Sequence, residues 1–199
     1  MSGKLCYAGV FRADTKPAFE LWSASDPSKV SRFYHSTIQE FFTFYSKTVA
    51  ERTQLGQRQV VTQDSYVIYS FAKSDGLTGV VITNHDYPKF TAHQLVSDVL
   101  DAFAVKIPKT TWSKATAPIK CEEAKECYKK FENPGQVDGI SKVQQELDDT
   151  KDVLHKTIES VLERGEKIET LMAKSDGLST SSRQFYTSAK GQNGCCTMM

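Results

Sequence analysis

Hydrophobic positions along this chain follow two patterns, with a change of period between them. In the first, short apolar or alternating runs are broken by turn chemistry. LCYAGVF and AFELWSA, separated by RADTKP, predict a β-hairpin. VSRFYHSTIQEFFTFYSKTVAERT predicts a helix, because Tyr34, Ile38, Phe41 or Phe42, Tyr45 and Val49 recur at three and four. VVTQDSYVIYSFAK reads as strand residues broken near Gln63 and Asp64, and SDGLTG turns the chain into a further strand, VVITN. FTAHQLVSDVLDAFAVKI returns to helix, with Leu95, Val96, Val99 and Phe103 on one face. PIKCEEAKECYKKFENPG predicts a last helix that opens at Pro118 and stops at Pro134 and Gly135, with a stripe of Cys121, Ala124, Tyr128 and Phe131. Consecutive strands joined by short turns favour an antiparallel sheet with helices on its faces, an α+β fold. About 130 residues suffice for an independent core.

After ENPG the period becomes that of a heptad. All six prolines and both tryptophans lie at or before Pro134, and only Phe185 and Tyr186 remain as aromatics beyond it. Alternate steps of three and four from Ile140 visit Val143, Leu147, Thr150, Leu154, Thr157, Val161, Arg164, Ile168, Leu171, Ser175, Leu178, Ser182, Phe185, Ala189 and Gln192. Apart from Arg164 and Gln192, every stop is apolar or a small hydroxyl residue, the pattern of a coiled-coil helix. About 50 such residues would make a rod of roughly 80 Å. Gly165 and Gly177 lie inside it, each costing about 1 kcal/mol relative to Ala. The segment is therefore expected to be largely disordered, or docked on the first domain, until partners arrive. Val153, Ile158, Leu162 and Met172 lie off the path. They either widen the seam or serve that docking.

Charge and composition remove several classes of function. A net charge of +1 and a pI near 7.6 lack the basic footprint of a nucleic-acid binder. No run approaches 18 apolar residues, so no transmembrane helix is predicted. The opening MSGKLCYAGVFRAD does not read as a signal peptide. Five cysteines, an odd number, point to a reducing compartment and free thiols. No phosphate-binding G-x-x-x-x-G-K-[ST], G-x-S-x-G, H-E-x-x-H or C-x-x-C occurs. Cys121 and Cys127 are poorly spaced for zinc, and His35, His85, His93 and His155 are scattered. Neither an enzyme, a metal site nor a cofactor is expected.

Arg164 stands in the middle of the seam, in VLERGEKIETL. A guanidinium in an apolar core costs several kcal/mol unless it is hydrogen-bonded, and its five donors suit several side-chain oxygens at once. Either Arg164 sets the register of a bundle whose other helices supply the acceptors, or it is a solvated residue on an irregular helix. The stretch DGISKVQQELDDTKDVLHKTIESVLERGEKIETLMAKSDGLSTSSRQFY resembles the SNARE motif of a synaptobrevin-type R-SNARE. The preceding region, with KLCYAGVF, STIQEFFTFYSKTVAERT and LTGVVITNHDYP, resembles a longin domain. With CCTMM, the chain resembles the prenylated longin R-SNAREs of the YKT type over essentially its whole length. The resemblance implies a five-stranded antiparallel sheet with one helix on one face and two on the other. It also implies a SNARE helix that joins three Q-SNARE helices in a parallel four-helix bundle and drives membrane fusion. Arg164 would form the central polar layer, and the stops from Ile140 to Ala189 the others. Gln192 departs from the family, many members of which have an apolar last layer.

CTMM fits the C-a-a-X prenylation pattern, with Cys196 as acceptor and a final Met that favours farnesyl. One lipid chain gives only marginal binding, so the adjacent Cys195 is expected to carry a reversible palmitoyl group. The expected organisation is a longin domain over residues 1–131, a linker over 132–137, the R-SNARE motif over 138–192 and a lipidated tail over 193–199. A cytoplasmic pool would coexist with a lipid-anchored pool on Golgi, endosomal or vacuolar membranes. A free prenyl chain should seek a groove, and the longin domain with the motif folded back onto it would provide one. Phe44 lies off the main stripe of its helix and is expected to be exposed. The resemblance places it on the face that holds the motif; the alternative is an ordinary core residue. A non-fusogenic longin adaptor is the rival function, but it needs neither the seam nor Arg164 nor the tail cysteines.

Overall fold

A computed structural model describes residues 3–26, 35–136, 147 and 153–194, with the backbone alone over 189–194. Six strands among these residues form one sheet: β1 (Leu5–Arg12), β2 (Phe19–Ser25), β3 (Arg58–Gln63), β4 (Tyr66–Ala72), β5 (Leu77–Asn84) and β6 (Val153–Thr157). Their order is β2-β1-β5-β4-β3-β6. The first five pair antiparallel. β6 joins β3 in parallel, with Arg58 opposite Val153 and Thr62 opposite Thr157.

The apolar runs of the sequence become strands buried on both faces. Val67 and Tyr69 of β4 point to one core and Ile68 to the other; on β5, Val81 joins the first and Val80 and Ile82 the second. α2 (Lys89–Lys106) and α4 (Glu122–Lys130) supply the first core, through Leu95, Val96, Val99, Phe103, Ala124 and Tyr128. Gly79 lets α2 approach the sheet, because a Cβ there would meet Leu100 Cγ at 2.8 Å. α1 (His35–Glu51) supplies the second core with Phe41, Phe42, Phe44, Tyr45 and Val49. A short helix, α3 (Lys109–Trp112), seats the fully buried Trp112.

Two expectations change. The last helix of the first domain begins at Glu122 rather than Pro118. The residues before it run along the sheet edge instead, where the Ile119 N–H donates to Leu21 O at 2.6 Å. Glu122 and Glu123 then occupy the first turn and Lys129 and Lys130 the last, as the helix dipole favours. The α+β class holds, but the segment read as one rod is divided. β6 is followed by α5 (Ile158–Val161), α6 (Ile168–Lys174) and α7 (Thr180–Gly194), and β6 makes the sheet six-stranded rather than five. The physical reason lies in the β3 edge. Its unpaired backbone groups accept a sixth strand, whereas a lone helix carrying Gly165 and Gly177 is marginal in water.

Candidate functional site

The C-terminal segment lies across the α1 face of the sheet. Ile158, Val161, Ile168, Met172 and Leu178 are buried in one cluster with Phe41, Phe42, Phe44, Tyr45 and Val49 of α1 and with Val61, Ile68 and Ile82 of the sheet. Ile158 is 0% exposed and Met172 is 3% exposed, so two of the off-path residues dock the segment on the first domain. Leu162 packs against the same cluster, and Val153 against the core on the opposite face. Hydrogen bonds at their first turns hold two of the C-terminal helices, one local and one to α1. The Thr157 N–H donates to Ser160 Oγ at 2.9 Å, opening α5. At the start of α7, the Ser179 N–H donates to Glu40 Oε2 of α1 at 2.7 Å. Partial burial alone would raise the Glu40 carboxyl, but the Ser179 N–H and the hydroxyls of Ser182 and Ser179 hold it below the usual carboxylate range.

Between α1, the β3–β4 turn and α7 lies a cavity of about 550 Å³. Ile38, Phe41, Phe42, Tyr66, Phe185 and Tyr186 give it an aromatic and aliphatic wall. Phe42 meets Tyr66 edge-on at 5.1 Å, and Phe41 meets Tyr186 at 6.1 Å. Asp64 adopts a positive φ of 49° in the turn at its rim, a conformation Asp tolerates better than most residues. Burial raises the Tyr45 phenol well above its ordinary value, so it stays neutral.

The seam residues are dispersed by this fold. Val161, Ile168, Leu178 and Ser182 are buried, while Leu147, Leu154, Leu171 and Ser175 are half-buried. Thr157 and Arg164 are exposed, and Phe185 is 39% exposed. Ile140, Val143, Thr150, Cys195 and Cys196 lie outside the described residues, as does the side chain of Ala189. Phe44, expected at the surface, is 8% exposed and meets the Tyr45 ring at 5.5 Å. Cys121 is buried and Cys127 half-buried. Burial pushes the Cys127 thiol up to about 12. Among the described residues, no His, Cys, Asp or Glu group could hold a metal ion, and no helix is long and apolar enough to cross a membrane.

Polar residues that the periodicity does not single out complete the docking. Arg52 directly follows α1, with its side chain only 9% exposed. Its Nη2 donates to Glu166 Oε1 at 3.1 Å and Oε2 at 2.9 Å, and its Nη1 to Thr48 O and Glu51 Oε2. Lys16 pairs with Glu163 at 2.7 Å, an exposed contact of small energetic weight. Glu163 and Glu166 flank Arg164 in VLERGEKIETL, but nothing in the periodicity pairs them with Lys16 or Arg52.

Residues 28–127 match the Longin family, a regulated-SNARE-like domain. Residues 139–194 match the Synaptobrevin family. The chain is similar to the synaptobrevin homolog ykt6 of Schizosaccharomyces pombe, 50% identical over 193 residues that cover 97% of this chain and 98% of that protein. It is similar also to synaptobrevin homolog YKT6 of Yarrowia lipolytica, 46% identical over 199 residues, and of Saccharomyces cerevisiae, 43% identical over 199 residues. In both cases 98% of this chain and 100% of the relative are covered. A longin half joined to a synaptobrevin half, with relatives of this identity along nearly the whole chain, identifies a non-enzymatic SNARE protein: the chain belongs to the longin R-SNAREs of the YKT type.

Proposed function

We propose that this R-SNARE alternates between a folded-back state, in which its longin domain withholds the SNARE motif, and a parallel four-helix bundle formed with three Q-SNARE helices during vesicle docking and membrane fusion. One observation carries the reading. Val161, Ile168 and Leu178, which the heptad repeat sets on one face of a single helix, are buried against the longin domain instead. The same side chains cannot fill both places, so folding back and bundle formation are mutually exclusive. In the bundle the layers would run from Ile140 to Ala189, with Arg164 satisfied by side-chain amide oxygens of the partners. In the folded-back state Arg164 faces solvent and needs no such acceptor.

Membrane attachment in this reading is covalent. Cys196 would carry a farnesyl group and Cys195 a reversible palmitoyl group, giving a cytoplasmic pool and a peripheral pool on Golgi, endosomal or vacuolar membranes. The cavity beneath Phe185 and Tyr186 supports a shelter for the prenyl chain, since its about 550 Å³, walled largely by apolar side chains with Gln63, Asp64 and Glu159 also in its lining, fall within the ~300–1,000 Å³ of small-molecule pockets.

The test is circular dichroism on residues 136–194, alone and with equimolar Q-SNARE helices. Cooperative helix should appear only in the four-component mixture and weaken with Arg164→Ala. Self-association of the segment, or persistent disorder with every Q-SNARE set, would move the reading to a longin adaptor.

A further inference from the structure

The turn that divides the motif lies on the bundle's central layer. Leu162 leaves α5 with φ −68° and ψ 153°. Gly165 then takes φ +89°, the left-handed region. The Glu166 N–H donates back to Glu163 O at 2.9 Å, and the Glu163 N–H donates to Glu166 Oε2 at 2.8 Å. A helix cannot run through Arg164 while Gly165 holds that conformation, because successive residues of an L-chain helix have negative φ. The Glu166 carboxylate thus closes the turn from within and meets the Arg52 guanidinium from without. That guanidinium is itself held on α1 by Thr48 O and Glu51.

We propose that residues 163–166 form a latch: Arg52 of the longin domain grips Glu166, Gly165 turns left-handed to permit it, and release of this turn is the step that lets one helix pass through Arg164. The proposal rests on the folded-back state described above and adds to it the residues that switch it. Gly165 suits both states, since glycine adopts positive φ without steric cost and is tolerated in a helix. Any other residue would bias the choice. The site offers a clean perturbation, because a Cβ at Gly165 would meet nothing within 4 Å. An effect of Gly165→Ala therefore comes from the backbone and not from a clash.

The test is amide hydrogen exchange of Val153–Thr157, the strand that leaves β3 when the motif opens, measured on the full chain without partners. Left-handed geometry disfavours Ala enough that Gly165→Ala should speed exchange about 5- to 30-fold. Gly165→Asn should exchange more slowly than Gly165→Ala, because Asn tolerates the left-handed region. Glu166→Gln removes the charge-assisted fork and should speed exchange about 3- to 10-fold. All three variants lie outside the longin domain and spare its core. Ile158→Ala is the control. If it speeds exchange while either Gly165→Ala or Glu166→Gln leaves it unchanged, the latch is overturned and the folded-back state survives. If Ile158→Ala also leaves exchange unchanged, the folded-back state fails and the latch with it.

Discussion

Ile158→Ala should separate folding back from bundle formation. Ile158 is fully buried among α1 and sheet side chains, yet it stands off the heptad path and so is not among the layers proposed for the bundle. Truncating a buried Ile to Ala costs about 2–5 kcal/mol, and less where the surroundings relax. Here the side chain sits in a four-residue helix laid on the domain surface, so the lower part of that range applies, about 2–3 kcal/mol. At 1.4 kcal/mol per factor of ten, the ratio of open to folded-back molecules rises roughly 30- to 150-fold. Small-angle scattering reads the change. A compact chain of this length has a radius of gyration of roughly 16 Å, and release of the motif expands it. Bundle entry with Q-SNARE helices should accelerate in parallel, while the final bundle melts as the parent does. An unchanged radius together with an unchanged entry rate would refute the reasoning. A bundle that melts lower would instead show that Ile158 serves the seam.

Four shorter predictions accompany it. Phe44→Glu places a carboxylate in the cluster that α1 shares with Ile158 and Met172; the scattering radius should grow, and an unaltered radius would remove Phe44 from the docking surface. Cys196→Ser should leave the protein in the soluble fraction of cell lysates, whereas Cys195→Ser should retain weak, reversible binding to vesicles. Gly79→Ala forces a Cβ to 2.8 Å from Leu100 Cγ, and urea unfolding should show a loss of about 1–3 kcal/mol. His93 is fully buried, and among the described residues neither ring nitrogen has a hydrogen-bond partner. Burial above all, then Arg58, Lys89 and His155, pushes its pKa down to about 3. The unfolded imidazole titrates near 6.5, so the unfolded state takes up the proton first. Stability contributed by neutral His93 is full above about pH 6.5 and falls by up to about 1.4 kcal/mol per pH unit on going down towards pH 3. Urea titrations of His93→Leu against the parent should show that slope removed.

Local patterns made most of the first domain legible. The alternation in YVIY and the apolar pair in VVIT each place side chains in both cores, and the structure puts β4 and β5 there. The helix period of α2 is satisfied by one broad apolar face, whereas α1 is buried both on the sheet and against the returning motif. The last helix was less legible, since Pro118 is a good opening residue by local chemistry. A backbone bond between Ile119 and Leu21 diverts the chain there, and no local rule reports a partner so far away in sequence. Phe44 lies on the docking face that the resemblance implies, but its exposure changes for a related reason. It lies off the stripe that packs on the sheet, and it is buried in the cluster the returning motif completes.

Heptad spacing, the polar Arg164 and the charge balance were determined by the sequence itself, because they depend only on which residues recur at three and four. The shape of residues 153–194 was not. A helix containing Gly165, Gly177 and several Ser and Thr stops gains little from its own hydrogen bonds, so its conformation falls to whichever surface buries its apolar side chains. The open edge of β3 makes Val153–Thr157 a strand. The aromatic face of α1 goes with a remainder divided into three helices. Arg52 meets Glu166 across 114 residues of sequence. Periodicity is a property of neighbours along the chain, whereas the packing of residues 153–194 on the first domain is set by surfaces distant in sequence.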